Sequence, residues 1–157
     1  MEYVIRRAEA GDVAEVARLL HQVLEVHAAG RPDVFRSGSR KYNNEEILDI
    51  FADDSRPVFV AVEGEHVLGY AFCMIEPPPQ SHALREIKTL YVDDICVDES
   101  CRHGHVGTAL YRRVQEHARE IGCYHITLNV WSFNEPAMRF YEKMGMSPLK
   151  VTMEQVL

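Results

Sequence analysis

Apolar residues return at helical intervals in the first part of the chain. Val13, Val16, Ala17, Leu20, Val23, Leu24 and His27 fall on one face of a helix. Asp12 stands where an N-cap belongs, and Gly30 with Pro32 beyond it marks the end. Ahead of this helix "YVIRRA" reads as a short strand. Behind it "RPDVFRSGSRKYN" is polar and irregular, and Asn44 can then cap a short helix over "EEILDIFA". The pattern changes in "PVFVAVEGEHVLGYAFCMI", two β-rich runs around Glu63-Gly64-Glu65, which predicts a hairpin. Consecutive prolines make "EPPPQSHALRE" a loop, and "IKTLYVDDICV" is a strand followed by the turn "DESCRHGH". Val106, Ala109, Leu110, Val114, Ala118 and Ile121 form a second amphipathic helix that stops near Gly122, and "CYHITLNVW" is the next strand. Asn134 caps a further helix with Pro136 in its first turn, ending at Gly145, and "SPLKVTMEQVL" predicts a last strand.

The resulting order, β-α-α-β-β-β-α-β-α-β, is that of one mixed α/β domain over residues 1–157. Its strand-helix-strand unit from Leu90 to Val130 calls for parallel strands joined by a right-handed crossover.

Composition narrows the function. A net charge of -7 disfavours general affinity for nucleic acid or an anionic membrane, and favours attraction of a cationic substrate. Cys73, Cys96, Cys101 and Cys123 are scattered without CxxC pairing, which reads as reduced thiols in a cytoplasmic protein. The N-terminal "MEYVIRRAEAGD" lacks an apolar signal core and no run approaches ~18 apolar residues, so neither export nor membrane spanning is expected.

The chemistry concentrates in "CRHGHVGTAL". A strand that stops in a short turn and opens a helix aims unpaired backbone N–H groups, aided by the helix dipole, at whatever lies in front. Gly104 and Gly107 admit a ligand close to the backbone, Thr108 offers a hydroxyl, and Arg102 and His103 add positive charge. A diphosphate would suit such a site, and the absence of a GK[ST] ending sets it apart from a nucleotide P-loop. A solvated turn capping an ordinary helix is the plain alternative. A metal bound by Cys101, His103 and His105, with Cys96, is a third reading, disfavoured because the spacing matches no paired ligand motif.

"LYVDDICVDESCRHGHVGTALYRRV" followed by "LNVWSFNEPAMRFYEKMGM" resembles the GNAT superfamily of acetyl-CoA-dependent N-acyltransferases. The family's Arg/Gln-x-x-Gly-x-Gly/Ala signature falls on Arg102, His105 and Gly107, with His105 where a glycine is usual. Its later helix signature falls on Asn134, Ala137, Phe140, Tyr141, Gly145 and Met146. The resemblance implies the GNAT fold, a twisted mixed sheet with helices on both faces and a splay between two parallel strands. It also implies acetyl-CoA as co-substrate, with no metal. The pantetheine arm would lie along Ile95, Cys96 and Val97, with the Ile95 amide facing the thioester carbonyl. Arg102, His103, Gly104, His105, Val106, Gly107 and Thr108 would hold the diphosphate. Asn134 would touch the arm, Ala137 would leave room for it, and Tyr141 would protonate the departing thiolate.

A primary amine acceptor, on a small molecule or a protein, must lose a proton before it attacks. Asp93 is the first choice as base, directly or through water. Asp94 is a candidate for binding a cationic acceptor, and alternation along the strand places the two on opposite faces. A solvated acidic pair at a strand bulge is the alternative. Tyr91 and Phe35 are candidates for the acceptor pocket. Direct attack in a ternary complex is expected over an acyl-enzyme on Cys96. The resemblance also implies pairing as a homodimer. A non-catalytic acyl-CoA sensor with the same fold is the competing class.

Overall fold

The computed structural model describes residues 2–101 and 104–157. Five strands lie side by side in the order in which the chain makes them: β1 (Val4–Arg7), β2 (Val58–Glu63), β3 (His66–Glu76), β4 (Thr89–Val97) and β5 (His125–Leu128). The first four are antiparallel to their neighbours, and β4 and β5 are parallel, as a crossover through a helix requires. The β2–β3 hairpin turns at Gly64 and Glu65, with Gly64 at φ 61°.

Helices cover both faces, and this explains why β2 and β3 read as unbroken apolar runs. On one face α1 (Val13–Gly30) and α2 (Asn44–Phe51) pack Val16, Leu19, Leu20, Ile47 and Ile50 against Val58, Val60, Tyr70 and Phe72. On the other, α3 (Val106–Glu120) packs Val106, Leu110, Val114 and Ala118 against Phe59, Ala61, Ala71, Leu90 and Val92. The last helix, α4 (Glu135–Lys143), carries the C-terminal motif.

Three local expectations change. Asp12 does precede α1, but its carboxylate accepts from the Glu9 amide at 2.8 Å and from the Arg6 guanidinium at 2.8 and 3.0 Å rather than from α1. Asn43, not Asn44, caps α2. Its side chain accepts from the Glu46 amide at 2.8 Å, while the Glu46 carboxylate accepts from the Asn43 amide at 3.0 Å. The predicted last strand has no regular secondary structure and pairs with no strand among the described residues. Its alternating Leu149, Val151 and Met153 are 69%, 76% and 84% exposed. Alternation signals that a segment suits a sheet, but a strand also needs an edge to bond to. Here the tail is held elsewhere, by Glu154 on Arg31 just past the end of α1. Among the described residues, no helix is long and apolar enough to cross a membrane.

Candidate active site

The parallel pairing is short. β4 and β5 run together only from Thr89↔His125 to Val92↔Leu128, while β4 continues to Val97. Asp94 to Val97 therefore keep β3 on one side and, among the described residues, have no strand on the other. Backbone polar groups on that side open onto a gap, where they can bond to a ligand instead of a neighbouring strand. Beyond β5 the chain turns away to α4. Asn134 starts that helix, its side chain accepting from the Ala137 amide at 3.3 Å, with Pro136 in the first turn. Half-buried Ala137 keeps this helix start small.

The stretch facing the gap begins with an irregularity. Phe72 pairs with Asp94 and Cys73 with Val92, so Asp93 is an extra residue in β4. Such a bulge breaks the alternation of side chains. The two aspartates accordingly do not lie on opposite faces as expected. Asp93 accepts from the Tyr42 hydroxyl and the Lys41 ammonium, both at 2.7 Å. Asp94 accepts from the Tyr70 hydroxyl at 2.6 Å. The Tyr42 ring stacks on Phe72 and the Tyr70 ring meets Phe72 edge-on, so both carboxylates serve the layer beneath α1 and α2.

Neither aspartate is a solvated surface acid. The Asp93 side chain is only 10% exposed. Asp94 keeps a solvent-facing edge, yet it lies deep among protein atoms. Burial pushes its carboxyl up to about 6, moderated by the Tyr70 hydroxyl and the Lys41 ammonium and assisted by the Asp93 charge. Tyr42 is held protonated by its own burial and by Asp93, which raise its phenol above the ordinary range. Tyr91 borders the same opening, its hydroxyl accepting from the Asn129 amide at 3.1 Å.

The turn after β4 is fixed from α1. Arg18 donates to Asp98 at 2.6 Å and to the Val67 carbonyl at 3.3 Å, and Asp98 in turn accepts from the Ser100 amide and hydroxyl. The chain then passes Arg102 and His103, two of the expected anion ligands, which lie outside the described residues. Gly104 and His105 lead into α3. His105 is exposed and has φ 58°, and it is the one non-glycine residue with positive φ among those described. The left-handed backbone explains why glycine suits this place, since a Cβ there costs roughly 1–2 kcal/mol. His105→Gly is thus expected to stabilise the fold by about 1 kcal/mol in urea unfolding. A loss of stability would mean that the imidazole holds the turn.

Past His105, Val106 is buried and Gly107 and Thr108 are half-buried at the helix start. A Cβ on Gly107 would come within 3.4 Å of the Phe140 ring and 3.5 Å of Val97. The first turn of α3 thus lies directly against α4 and the end of β4, with its amides beside the gap. Ile95 and Val97 pack toward α3, while Cys96 is buried toward α1, its thiol 3.8 Å from the Leu19 carbonyl.

Tyr141 closes the site from α4. It is 9% exposed, its ring packs against Phe140 and Tyr111, and among the described residues its hydroxyl has no hydrogen-bond partner. Burial raises its phenol above the ordinary range, and the nearby Asp94, Tyr111 and Cys96 add to the rise. At the other end of the opening, Phe35 packs against His27 and Trp131, each with ring centroids 5.1 Å apart. Phe133 lies against Gly30, where a Cβ would meet its ring. A cavity of about 460 Å³ also lies between β5, α3, α4 and the start of the tail. Tyr141 lines it, and no residue of β4 does.

Of the residues picked out from the sequence, Asp93, Asp94, Ile95 and Val97 lie on this stretch of β4, and Gly107 packs against Val97 and Phe140. Lys41, Tyr70, Arg18 and Asp98 were not singled out. Tyr42 and Lys41 lie in the irregular segment between the first two helices, and only tertiary contact reveals their role. The gap, the adjoining helix start and the small residues flanking both fit an extended thioester with an anionic end. Among the described residues, no group of three or more His, Cys, Asp or Glu side chains is placed to hold a metal.

Comparison with known proteins identifies the family. Residues 20–146 match the model of the acetyltransferase (GNAT) family. A crystal structure of a mutant BH1408 protein from Bacillus halodurans is 33% identical, with a TM-score of 0.93, covering 98% of this chain and 99% of that one. The thialysine N-epsilon-acetyltransferase of Bos taurus is 25% identical over 156 residues, 93% of this chain and 85% of that protein. Glucosamine-6-phosphate N-acetyltransferase from Arabidopsis thaliana, 23% identical over 99% of both chains with a TM-score of 0.73, shares the fold. With most of its length matched, including β4, β5 and the helix that carries Tyr141, the chain belongs to the GNAT acetyltransferase family.

Proposed function

We propose that the chain is an N-acetyltransferase that moves the acetyl group of acetyl-CoA to a primary amine by direct attack within a ternary complex. The observation that carries this reading is the convergence of a buried phenol and two carboxylates on the unpaired part of β4. The Ile95 to Val97 backbone would pair with the pantetheine arm, and the α3 amides around Gly107 would receive the diphosphate. Asp93, at the bulge, would take the ammonium proton directly or through water. Asp94 would help to hold the cationic acceptor, with Tyr91 and Phe35 lining its approach. Tyr141 would give its proton to the departing sulfur; its raised phenol keeps that proton at neutral pH. Cys96 faces α1 rather than the gap, which favours direct attack over an acyl-enzyme.

The bovine relative's name points to a lysine-like amine, and the acidic chain suits a cationic acceptor. The test is a screen of thialysine, lysine, polyamines, aminoglycosides and peptides with acetyl-CoA, read by product mass. Acetylation of one class supports the reading. Coenzyme binding without any product would favour the sensor.

The same proposal includes a cytoplasmic setting and a homodimer. The exposed Leu149, Val151 and Met153 form an apolar edge in search of a sheet, and β5 has an outer edge with no strand on it among the described residues. A second copy's tail is the occupant that supplies both halves. Light scattering should give a dimer, and truncation after Ser147 a monomer. A full-length monomer, or a truncated dimer, would refute this arrangement.

A further inference from the structure

We propose that the ε-amine of Lys41 is itself an acetyl acceptor of this chain, and that its acetylation uncovers Asp93. The proposal rests on the acetyl-CoA reading above. Lys41 lies in the segment between α1 and α2, where it belongs to no regular element. Its ammonium donates to Asp93 at 2.7 Å and lies 5.5 Å from the centre of the Tyr42 ring. The Lys41 side chain is 49% exposed and that of Asp93 10%. The stem therefore comes in from solvent and ends on a carboxylate that is otherwise nearly covered. Its charge is felt by Asp94 and Tyr91 as well.

A primary amine on a flexible four-carbon stem thus occupies the position assigned to the acceptor's amine, beside the group assigned to deprotonate it. The pair also neutralises a nearly covered carboxylate, yet a fixed cation would serve that need equally, and Tyr42 is held independently by its bond to Asp93 and its stack on Phe72. Arg56, the other cation near Tyr42, reaches its hydroxyl at 3.3 Å but is a guanidinium that stays charged.

The step balances with groups already present. Asp93 accepts one proton from the Lys41 ammonium, and the nitrogen lone pair forms the C–N bond to the acetyl carbon. The C–S bond breaks, Tyr141 protonates the sulfur, the second nitrogen proton leaves to solvent, and Tyr141 regains its proton from Asp93 through solvent. The product is a neutral amide that no longer ion-pairs with Asp93, so an external ammonium meets a carboxylate that keeps its Tyr42 hydroxyl bond but has lost its cation.

The experiment incubates the full chain with acetyl-CoA and no added amine, followed by intact mass and peptide mapping. The expected result is one acetyl group on Lys41, gained at a rate independent of protein concentration. Tyr141→Phe should slow that gain roughly tenfold or more, and Lys41→Arg should leave the peptide unmodified. Acetate already present on purified Lys41 counts as the same result only if Tyr141→Phe lacks it. An unmodified Lys41 while the amine panel is acetylated overturns the inference alone. So does a rate equal in Tyr141→Phe and in urea-unfolded chain, or one that rises with protein concentration. If neither Lys41 nor any amine is acetylated, the acetyl-transfer reading falls with it.

Discussion

Tyr141→Phe is expected to lower turnover by about 10²–10⁴ while leaving acetyl-CoA affinity within about twofold. The hydroxyl is the only group removed, and among the described residues nothing hydrogen-bonds to it, so the substitution orphans no partner. The ring remains to pack against Phe140 and Tyr111. A coenzyme held by the α3 start and the β4 backbone would lose no contact in its ground state. The departing thiolate would lose its proton source. Because burial and the neighbouring Asp94 hold the phenol above its ordinary range, wild-type activity should show no fall from Tyr141 ionisation between pH 6 and 9. Turnover read beside calorimetric binding separates the two effects. Unchanged turnover would remove the acid role, and lost coenzyme binding would make Tyr141 a binding residue.

What the sequence could reveal followed how local each feature is. The apolar stripe of α1, the Asn134–Pro136 start of α4 and its stop at Gly145 are set by neighbours within a few residues, and they stand where expected. The parallel pair β4 and β5 followed from the intervening helix. The bulge at Asp93 was not local. A bulge at the acidic pair was the stated alternative, but choosing it depends on Cys73 of β3 pairing with Val92, so the shared face of Asp93 and Asp94 could not be read from β4 alone. The ionic clasp from Arg18 to Asp98 joins residues far apart in the chain, as does Lys41 to Asp93. The tail was misread for a related reason: its alternation is real, but the partner it needs is not a property of its own residues. His105 is a middle case. The resemblance marked it as a replacement for glycine, and the backbone at φ 58° gave the reason.

Asp94→Asn is expected to stabilise the fold at pH 8 and to do so much less at pH 4. The native carboxyl is raised from the ordinary 3.8 to about 6, chiefly by burial. A group raised in this way binds its proton more tightly when folded. Its contribution is therefore fully favourable below pH 3.8 and is lost as pH rises through about 6. Above that, the folded chain carries a buried negative charge that the unfolded chain would leave in water. At 1.36 kcal/mol per pH unit, the penalty is on the order of 3 kcal/mol. Asparagine keeps an oxygen for the Tyr70 hydroxyl and removes the charge, so urea midpoints of the two proteins should diverge as pH rises from 4 to 8. A variant less stable than wild type at pH 8 would show that the Tyr70 bond and the Lys41 charge outweigh burial. Retention of a costly carboxylate on this stretch of β4 is what a cation-binding role would require, since an ammonium would neutralise more of its charge than Tyr70 and Lys41 do. The same variant should accordingly weaken binding of a cationic acceptor, raising KM more than it lowers kcat.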